Sequence, residues 1–385
     1  MPAPSSSLID PAIGHLAELV GDTAGDSLEL LAVLARVADP RHRRGVRHGL
    51  LVILGLAVCA VLGGARSFIA IAEWAADADQ ETLAGLGAIG TVPSESTFRR
   101  TLQCLDAGAF DELAGEWAAR RTAPGPGGRR VIAVDGKTLR GSGHGSDGSR
   151  HLLAALDHAH GAVLGQVEVG AKTNEIPMFR TLLDRMGITG SVITADALHA
   201  QRDHATYLAG RGAHYPLIVK RNQPGLHAQL ACLPGRDVPV GYQARERGHG
   251  RTERRTLKVT AVARGLAFPC AARAIQITRR RKVKGKWSRE TCYAVTSLTV
   301  TQASHAQLAA IIRHWGIEDR LHRVRDMDFD EDRSQVRAAS GPRIMASLRN
   351  LVITILRLAG AASIAAALRY HARRPSRPLR TIMKC

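Results

Sequence analysis

Three acidic residues lie where a phosphoryl-transfer enzyme needs them. Asp135 ends the apolar run VIAVD, Asp196 ends the run VITAD, and Glu318 lies in the helix-forming stretch IIRHWGIEDRLHRVRD. Carboxylate oxygens are the ligands that Mg²⁺ prefers, and a pair of such ions can stabilise both the attacking and the leaving oxygen of a phosphodiester. The three residues therefore predict a catalytic site that holds two Mg²⁺ or Mn²⁺ ions.

The elements that would position the two aspartates follow from the pattern of residues 131–220. Their order is three strands, helix, strand, helix, strand, and the second and third strands form an antiparallel hairpin about the turn HAHG. This is the order of a ribonuclease H-like α/β core. If the first and fourth strands are parallel neighbours, Asp135 and Asp196 meet at their carboxyl ends, where open α/β sheets bind ligands.

The span between Asp196 and Glu318 is 318 − 196 = 122 residues, which is too long for a simple connection. Residues 221–300 contain the β-like pieces TLKVTAVA, AIQITRRRKVKGKW and TCYAVTSL, and the basic segments GHGRTERR and RRRKVKGK. We interpret them as a β-rich insertion whose basic strands lie near DNA. The alternative is an exposed sheet whose charges only prevent edge-to-edge aggregation.

Charge predicts a polyanionic partner. The chain has 53 Lys and Arg against 34 Asp and Glu, a net charge of +19, so double-stranded DNA is the leading candidate. The excess is uneven, because the first 35 residues contain no Lys or Arg and nothing after Asp332 is acidic. We expect this basic end to lie along phosphates; a solvated face that only aids solubility is the alternative.

Residues 1–120 are predicted to form an N-terminal helical domain, with DNA binding as its candidate role. The apolar run 49–65 is barely long enough to span a membrane, and this length favours a buried helix. In PSESTFRRTL, Ser94 is the predicted N-cap of a helix. That helix is equally consistent with insertion into a DNA groove and with an ordinary exposed helix that contacts no DNA.

The domain boundaries follow from the composition. The Pro/Gly-rich segment 121–130 is the predicted linker, and the catalytic domain extends over 131–385. Within that domain we expect a core at 131–220 and 301–370, the insertion at 221–300 and a basic tail at 371–385. The scattered cysteines and the absence of a secretory pattern at the N-terminus predict a cytoplasmic, nucleoid-associated protein with no membrane partner.

The helix that contains Glu318 carries basic residues on the same predicted face. His314, His322 and Arg325 stand four residues before, four after and seven after the glutamate, where they could grip phosphate. Asp319 should point away from this face, and Glu175 in KTNEIP could also approach the site. The candidate DNA contacts are Lys137, Arg140, Lys220, Arg251, Arg254, Arg255, Arg313, His314 and Arg325.

Several long motifs resemble the ISAs-type, H-repeat-associated DDE transposases of bacterial insertion sequences. They are VIAVDGKTLRGS, KTNEIP, VITADALHAQRDHA, GHGRTERR and HWGIEDRLHRVRDMDFDEDRSQVR. Upstream, DPRHRRGVRH, GGARSFIAIAEWA and PSESTFRRTL resemble the N-terminal associated domain of those proteins. The resemblance extends from about Asp39 to the basic C-terminal tail.

The resemblance implies a function as well as a fold. It places Asp135, Asp196 and Glu318 on the metal-binding, catalytic positions of a ribonuclease H-like core that a β-rich insertion interrupts. The implied activity is DNA transposition, in which metal-dependent hydrolysis at the element's terminal repeats is followed by strand transfer into target DNA. A homodimer is expected in the active complex, since two DNA ends must be paired.

The chain departs from the pattern around the glutamate, and this leaves two alternatives open. Ile311, His314 and Arg325 occupy the spacings at which related transposases carry tyrosine, arginine and lysine, and Arg323 stands where a tryptophan is typical. One alternative is a catalytically impaired relic that only binds DNA. The other is a ribonuclease H-like nuclease without strand transfer.

Overall fold

A computed structural model describes residues 29–42, 44, 46–143, 148–248, 251–262, 266–312 and 315–385, without the side chains of Arg251 and Trp315. The N-terminal part is helical, with α1 Glu29–Ala35, α2 Leu50–Leu62, α3 Phe68–Asp77, α4 Gln80–Gly85, α5 Glu95–Cys104 and α6 Ala107–Arg121. Every residue of α2 is buried, as the predicted core helix requires. Within the described residues, no helix is both long and apolar enough to cross a bilayer. Ser94 caps α5 by accepting a hydrogen bond from the backbone N–H of Thr97, which confirms the predicted N-cap.

The next elements follow the predicted order. They are β1 Val131–Leu139, β2 Arg150–Asp157, β3 Val163–Val169, α7 Glu175–Asp184, β4 Val192–Ala195, α8 Arg202–Gly210 and β5 Pro216–Val219. Strands β2 and β3 form the expected antiparallel hairpin, and β1 pairs with β4 in parallel, as predicted. Because Val134 lies opposite Ala195, the next residues, Asp135 within β1 and Asp196 just after β4, occupy neighbouring positions.

Four further strands extend the same sheet. After α9 Pro224–Ala231 come β6 Tyr242–Gly248, β7 Arg251–Ala261, β8 Arg273–Val283 and β9 Lys286–Thr296. Strand β9 pairs antiparallel with β5, so the nine strands lie in the order β3-β2-β1-β4-β5-β9-β8-β7-β6. The piece AIQITRRRKVKGKW is not one strand, because Lys284 and Gly285 both have positive φ angles and make the tight turn between β8 and β9.

The C-terminal part begins with α10 His305–Ile311 and a helical run that contains the catalytic candidate. This run, which we call the glutamate helix, consists of α11 Trp315–Ile317, a π turn Glu318–His322 and α12 Arg323–Met327. It is followed by α13 Gly341–Leu358, α14 Ile364–Ala372 and α15 Ser376–Ile382.

Helix α13 joins the N-terminal helices to the sheet. It is almost entirely buried and packs against α2, α5, α6 and β3. The main hydrophobic core is therefore continuous across the segment 121–130, with members on both sides of it. The predicted basic tail is also part of the fold: α15 packs on α2 and α4, and Ile382 is fully buried, while Arg380 and Lys384 stay exposed.

Candidate active site

Asp135, Asp196 and Glu318 line one cavity of about 440 Å³. Asp135 lies in β1 and Asp196 follows β4, so the parallel pairing brings the two aspartates to the same edge of the sheet. Asp196 is fixed there because its Oδ1 accepts a hydrogen bond of 2.8 Å from the backbone N–H of Leu198 in the short 3₁₀ helix that follows. Residues far apart in the chain thus converge on one space large enough for a phosphodiester group.

The glutamate helix brings Glu318 and His322 to Asp135. Ligand atoms of these three side chains all lie within 4.8 Å of one another, and His322 Nε2 is 3.4 Å from Asp135 Oδ2. Glu318 is exposed, whereas His322 is buried. Both belong to the π turn, a rare local widening of a helix that occurs often at functional sites.

The chemistry of this group fits a divalent metal ion. Neither ring nitrogen of His322 makes a hydrogen bond with another described residue, although the side chain is buried. A buried polar group without a partner costs about 1–3 kcal/mol, so this imidazole lies in a place where a ligand or a water would complete it. Two carboxylates and an imidazole are suitable ligands for a first-row divalent ion such as Mn²⁺, and the carboxylates also suit Mg²⁺. Asp196 is outside the 4.8 Å group but lines the same cavity.

Sequence reasoning did not identify His322 as a candidate metal ligand. It placed His322 on the face of Glu318 and gave it a role in gripping phosphate, whereas the structure places its ring beside Asp135. The signal was present in the sequence, because residues four apart share a helix face and a histidine beside a carboxylate is a common metal-binding pair.

A second cluster of carboxylate and histidine lies on the other side of β1. Glu175 Oε1 is 2.7 Å from His151 Nε2, and Glu175 Oε2 is 3.2 Å from His199 Nε2. Glu175 packs over Gly136, where an added Cβ would overlap Oε1 of Glu175. Since consecutive residues of a strand point to opposite faces, Glu175 does not join Asp135 in the cavity. Glu175 therefore approaches the site, as expected, only by contacting the backbone of Gly136, the residue after Asp135.

Glu175 links the two segments that carry the aspartates. It contacts Gly136, the residue after Asp135, and it bonds His199, which ends the 3₁₀ helix that Asp196 begins. Burial raises the pKa of the Glu175 carboxyl, but hydrogen bonds from His151 and His199 outweigh it and lower this pKa to about 2. The carboxylate is therefore held ionised between its two histidines.

Comparison with known proteins decides the family. The family model described as "Transposase DDE domain" matches residues 126–355, and the model "DDE_Tnp_1-associated" matches residues 31–118. The chain belongs to the DDE transposase family. This finding confirms the resemblance in the sequence motifs.

Curated relatives extend this family assignment over most of the chain. The protein named "Putative transposase YncI" of Escherichia coli O157:H7 is 30% identical over 85% of this chain and 87% of its own length. The "H repeat-associated putative transposase YhhI" of Escherichia coli strain K12 is 29% identical over 85% of this chain and 90% of its own length. Among solved structures, a piggyBac transposase synaptic complex with hairpin DNA matches with a TM-score of 0.40 at 12% identity, covering 98% of this chain and 80% of that chain. That similarity is too low to carry an argument.

Two basic residues of this DDE transposase are not available to DNA, contrary to expectation. Arg325 is fully buried, and its guanidinium donates to Glu331 at 2.8 Å and to Gln166 at 3.2 Å. Lys137 is also buried, and its ammonium is 2.6 Å from Asp326 Oδ1. Both predictions were wrong because they assumed exposure. For Arg325, the π turn also rotates the following residues away from the face that a regular α-helix would give.

The remaining predicted DNA contacts of the transposase have different positions. Lys220 and Arg255 line the cavity, Arg140 is exposed 3.7 Å from Asp332, and Arg254 is exposed on the opposite face of the inserted strands. The side chain of Arg251 lies outside the described part of the structure, as do Arg313 and His314.

Proposed function

We propose that this DDE transposase cuts DNA at the ends of an insertion sequence and joins the released ends to target DNA. The observation that carries the proposal is the convergence of Asp135, Asp196 and Glu318 in one cavity, beside the cationic side chain of Lys220. We also propose that β1–β5 with α7 and α8 are a ribonuclease H-like core, that β6–β9 are its insertion, and that residues 1–120 form the associated domain.

The residues of the cavity have separate roles in this proposal. Asp135, Asp196 and Glu318 would hold two divalent ions, Mg²⁺ or Mn²⁺, with His322 as a further ligand or as the group that orients Asp135. Bound ions of this kind lower the pKa of an attacking water and stabilise the leaving oxygen. Lys220, exposed at the carboxyl end of β5, would pair with a phosphate of the DNA strand and hold it in register.

The proposed reaction has two phosphoryl transfers. In the first, a water oxygen bonds to phosphorus at the element's end, the bond from phosphorus to the 3′ oxygen breaks, and that oxygen leaves as a 3′-hydroxyl. In the second, this hydroxyl bonds to a phosphorus of target DNA and displaces the target's own 3′ oxygen. Neither step needs a covalent bond to the enzyme or a nucleotide cofactor. Because the two ends of the element must be paired in one complex, the active complex would be a homodimer on DNA.

The proposal is tested by cleavage of a duplex that carries the element's terminal repeat. We expect wild-type protein to cut it with Mg²⁺ or Mn²⁺ and to be inactive after chelation. Asp135→Asn should slow cutting at least about a thousandfold, about 4 kcal/mol in the barrier, while binding persists. Asp319→Asn is the matched control, since Asp319 is exposed next to Glu318 but does not line the cavity, and it should cut at the wild-type rate.

Each alternative function has its own outcome in the same assay. Retained cutting by Asp135→Asn would refute the assignment of this residue. Wild-type binding without metal-dependent cutting would identify a relic that only binds DNA. Cutting without joined products that contain target DNA would identify a nuclease without strand transfer.

A further inference from the structure

The four inserted strands present two chemically different faces. Along each strand, alternate residues point to opposite sides of the sheet. One side, the cavity face, contributes Arg255, Arg279 and Glu290 to the lining of the catalytic cavity. We call the other side the outer face, and define it by Arg245, Arg247, Arg254, Arg280, Lys282, Trp287 and Arg289.

Four arginines of the outer face form one row across the strands. Arg245 lies opposite Arg254, Arg254 opposite Arg280, and Arg280 opposite Arg289. All four are exposed. The next pairing toward the tip of the strands on the same face sets Lys282 opposite Trp287. Like charges directly opposite each other destabilise a sheet, so this row needs an explanation other than stability.

The acidic residues of the four strands all lie on the cavity face. They are Glu246, Glu253 and Glu290, which alternate with the arginines of the row. Glu253 is buried and contacts Arg255, Arg279 and Arg281, the last two at 3.0 and 3.4 Å. The cavity-face arginines thus share a carboxylate of the protein as an ion-pair partner. Within the described residues, no carboxylate oxygen lies within 4.0 Å of a cationic nitrogen of the outer face.

Protection of a sheet edge does not account for the row. Of the four inserted strands, β7 and β8 are paired on both sides, β6 is an edge strand, and β9 pairs with β5 only over Tyr293–Thr296, so Arg289 also lies at an unpaired edge. Charges against edge pairing are needed on β6 and on the unpaired part of β9, whereas two of the four arginines, Arg254 and Arg280, lie on strands paired on both sides, so edge protection leaves them unexplained. An aromatic side chain lies beside the row: Trp287 is 48% exposed, and the Arg280 guanidinium lies 5.2 Å from the centre of the Trp287 ring.

We propose that the outer face binds the phosphate backbone of a second DNA duplex, the target, while the catalytic cavity takes the element's end. This inference rests on the proposed function and names the position of its second substrate. Four strands spaced about 4.8 Å apart spread the row over about 14 Å, which is wider than the major groove of about 12 Å. The sheet therefore lies across the backbone and does not enter the groove, so the contact is independent of base sequence, as a target site of varied sequence requires.

The test compares two matched double variants of the full chain. Arg254→Gln with Arg280→Gln removes two facing charges of the outer face, and Arg255→Gln with Arg279→Gln removes two facing charges one residue away on the cavity face. Binding of a random-sequence duplex is measured by fluorescence anisotropy over a series of salt concentrations. We expect the outer-face variant to flatten the slope of log K against log salt by about 1.8, the value for two lost phosphate contacts. The cavity-face variant should change the slope by less than half as much, because Arg255 and Arg279 already have Glu253 as an ion-pair partner.

Two further variants keep the result interpretable. Arg254→Lys with Arg280→Lys should retain the wild-type slope, because it keeps both charges. Trp287→Ala should leave the slope unchanged, because it removes no charge. Equal changes in slope for the two double variants, or no change for the outer-face variant, would overturn the proposal. The slope needs no cleavage, so a protein that binds in this way but never cuts would contradict the proposed function and leave the outer face as a DNA surface.

Discussion

Two clusters of carboxylate and histidine lie on opposite sides of β1 and differ in how completely they are bonded. On one side, Glu175 accepts hydrogen bonds from both His151 and His199, and little of it is exposed. On the other, His322 approaches Asp135 at 3.4 Å but makes no hydrogen bond with a described residue. The two clusters contact adjacent residues of β1: Asp135 belongs to one cluster, and Gly136 packs against Glu175 of the other.

The difference shows how one strand can serve stability and chemistry at once. In the first cluster, the two hydrogen bonds from histidines to the Glu175 carboxylate serve only to stabilise the folded chain. Asp135, in contrast, has a second carboxylate and an imidazole within 4.8 Å, an arrangement that a bound cation would stabilise. The first cluster fixes the backbone that the second needs, because Glu175 bonds the helical turn after Asp196 and packs on the residue after Asp135.

The largest difference between the clusters should appear when the same substitution is made in each. His322→Gln removes a ring nitrogen beside Asp135, and we expect metal affinity and cutting rate to fall about 10- to 100-fold, the usual effect of a lost metal-site partner. His151→Gln, the matched control in the closed cluster, should leave metal affinity unchanged and lower the free energy of unfolding. Mn²⁺ titration by calorimetry and chemical denaturation measure the two effects. Equal metal affinities for the two variants would contradict the distinction.

The sequence alone was sufficient for the parts of the fold that depend on local pattern. The apolar runs that end in Asp135 and Asp196 located two strands and the edge where they meet, since a buried parallel pair leaves few positions for a charged residue. Ser94 was identified as a cap by the same kind of local rule. The apolar run 49–65 was correctly predicted to contain a buried helix from its length.

What the sequence could not give depends on contacts between distant residues. His151 meets Glu175 through the register of β2 against β1, which no local pattern fixes. Arg325 is buried because Glu331 and Gln166 surround its guanidinium, and a helix face read from spacing does not say which face is covered. The arginine row of the outer face likewise depends on the register of four strands, although each arginine was visible alone.

A smaller effect is expected from Glu175→Gln. It removes the charge from both bonds to histidine while keeping the size of the side chain, and the free energy of unfolding should fall by about 1–3 kcal/mol. Glu112→Gln is the control, because Glu112 forms an ion pair of 2.7 Å with Arg185 at the surface, where such pairs contribute less than about 1 kcal/mol. Urea denaturation compares the two. A loss no greater than that of the control would show that the closed cluster does not stabilise the fold.

The smallest effect should be seen in acid. The pKa of the Glu175 carboxyl is about 2 in the folded chain against an ordinary 4.5, and the burial that would raise it is outweighed by the hydrogen bonds from His151 and His199. A folded pKa below the unfolded one means that the contribution to stability is complete above pH 4.5 and is lost as the pH falls from 4.5 to about 2. In that window the free energy of unfolding of wild-type protein should therefore fall more steeply with decreasing pH than that of Glu175→Gln. Urea denaturation at several pH values measures both slopes, and parallel curves would mean that Glu175 titrates alike in the folded and unfolded chains.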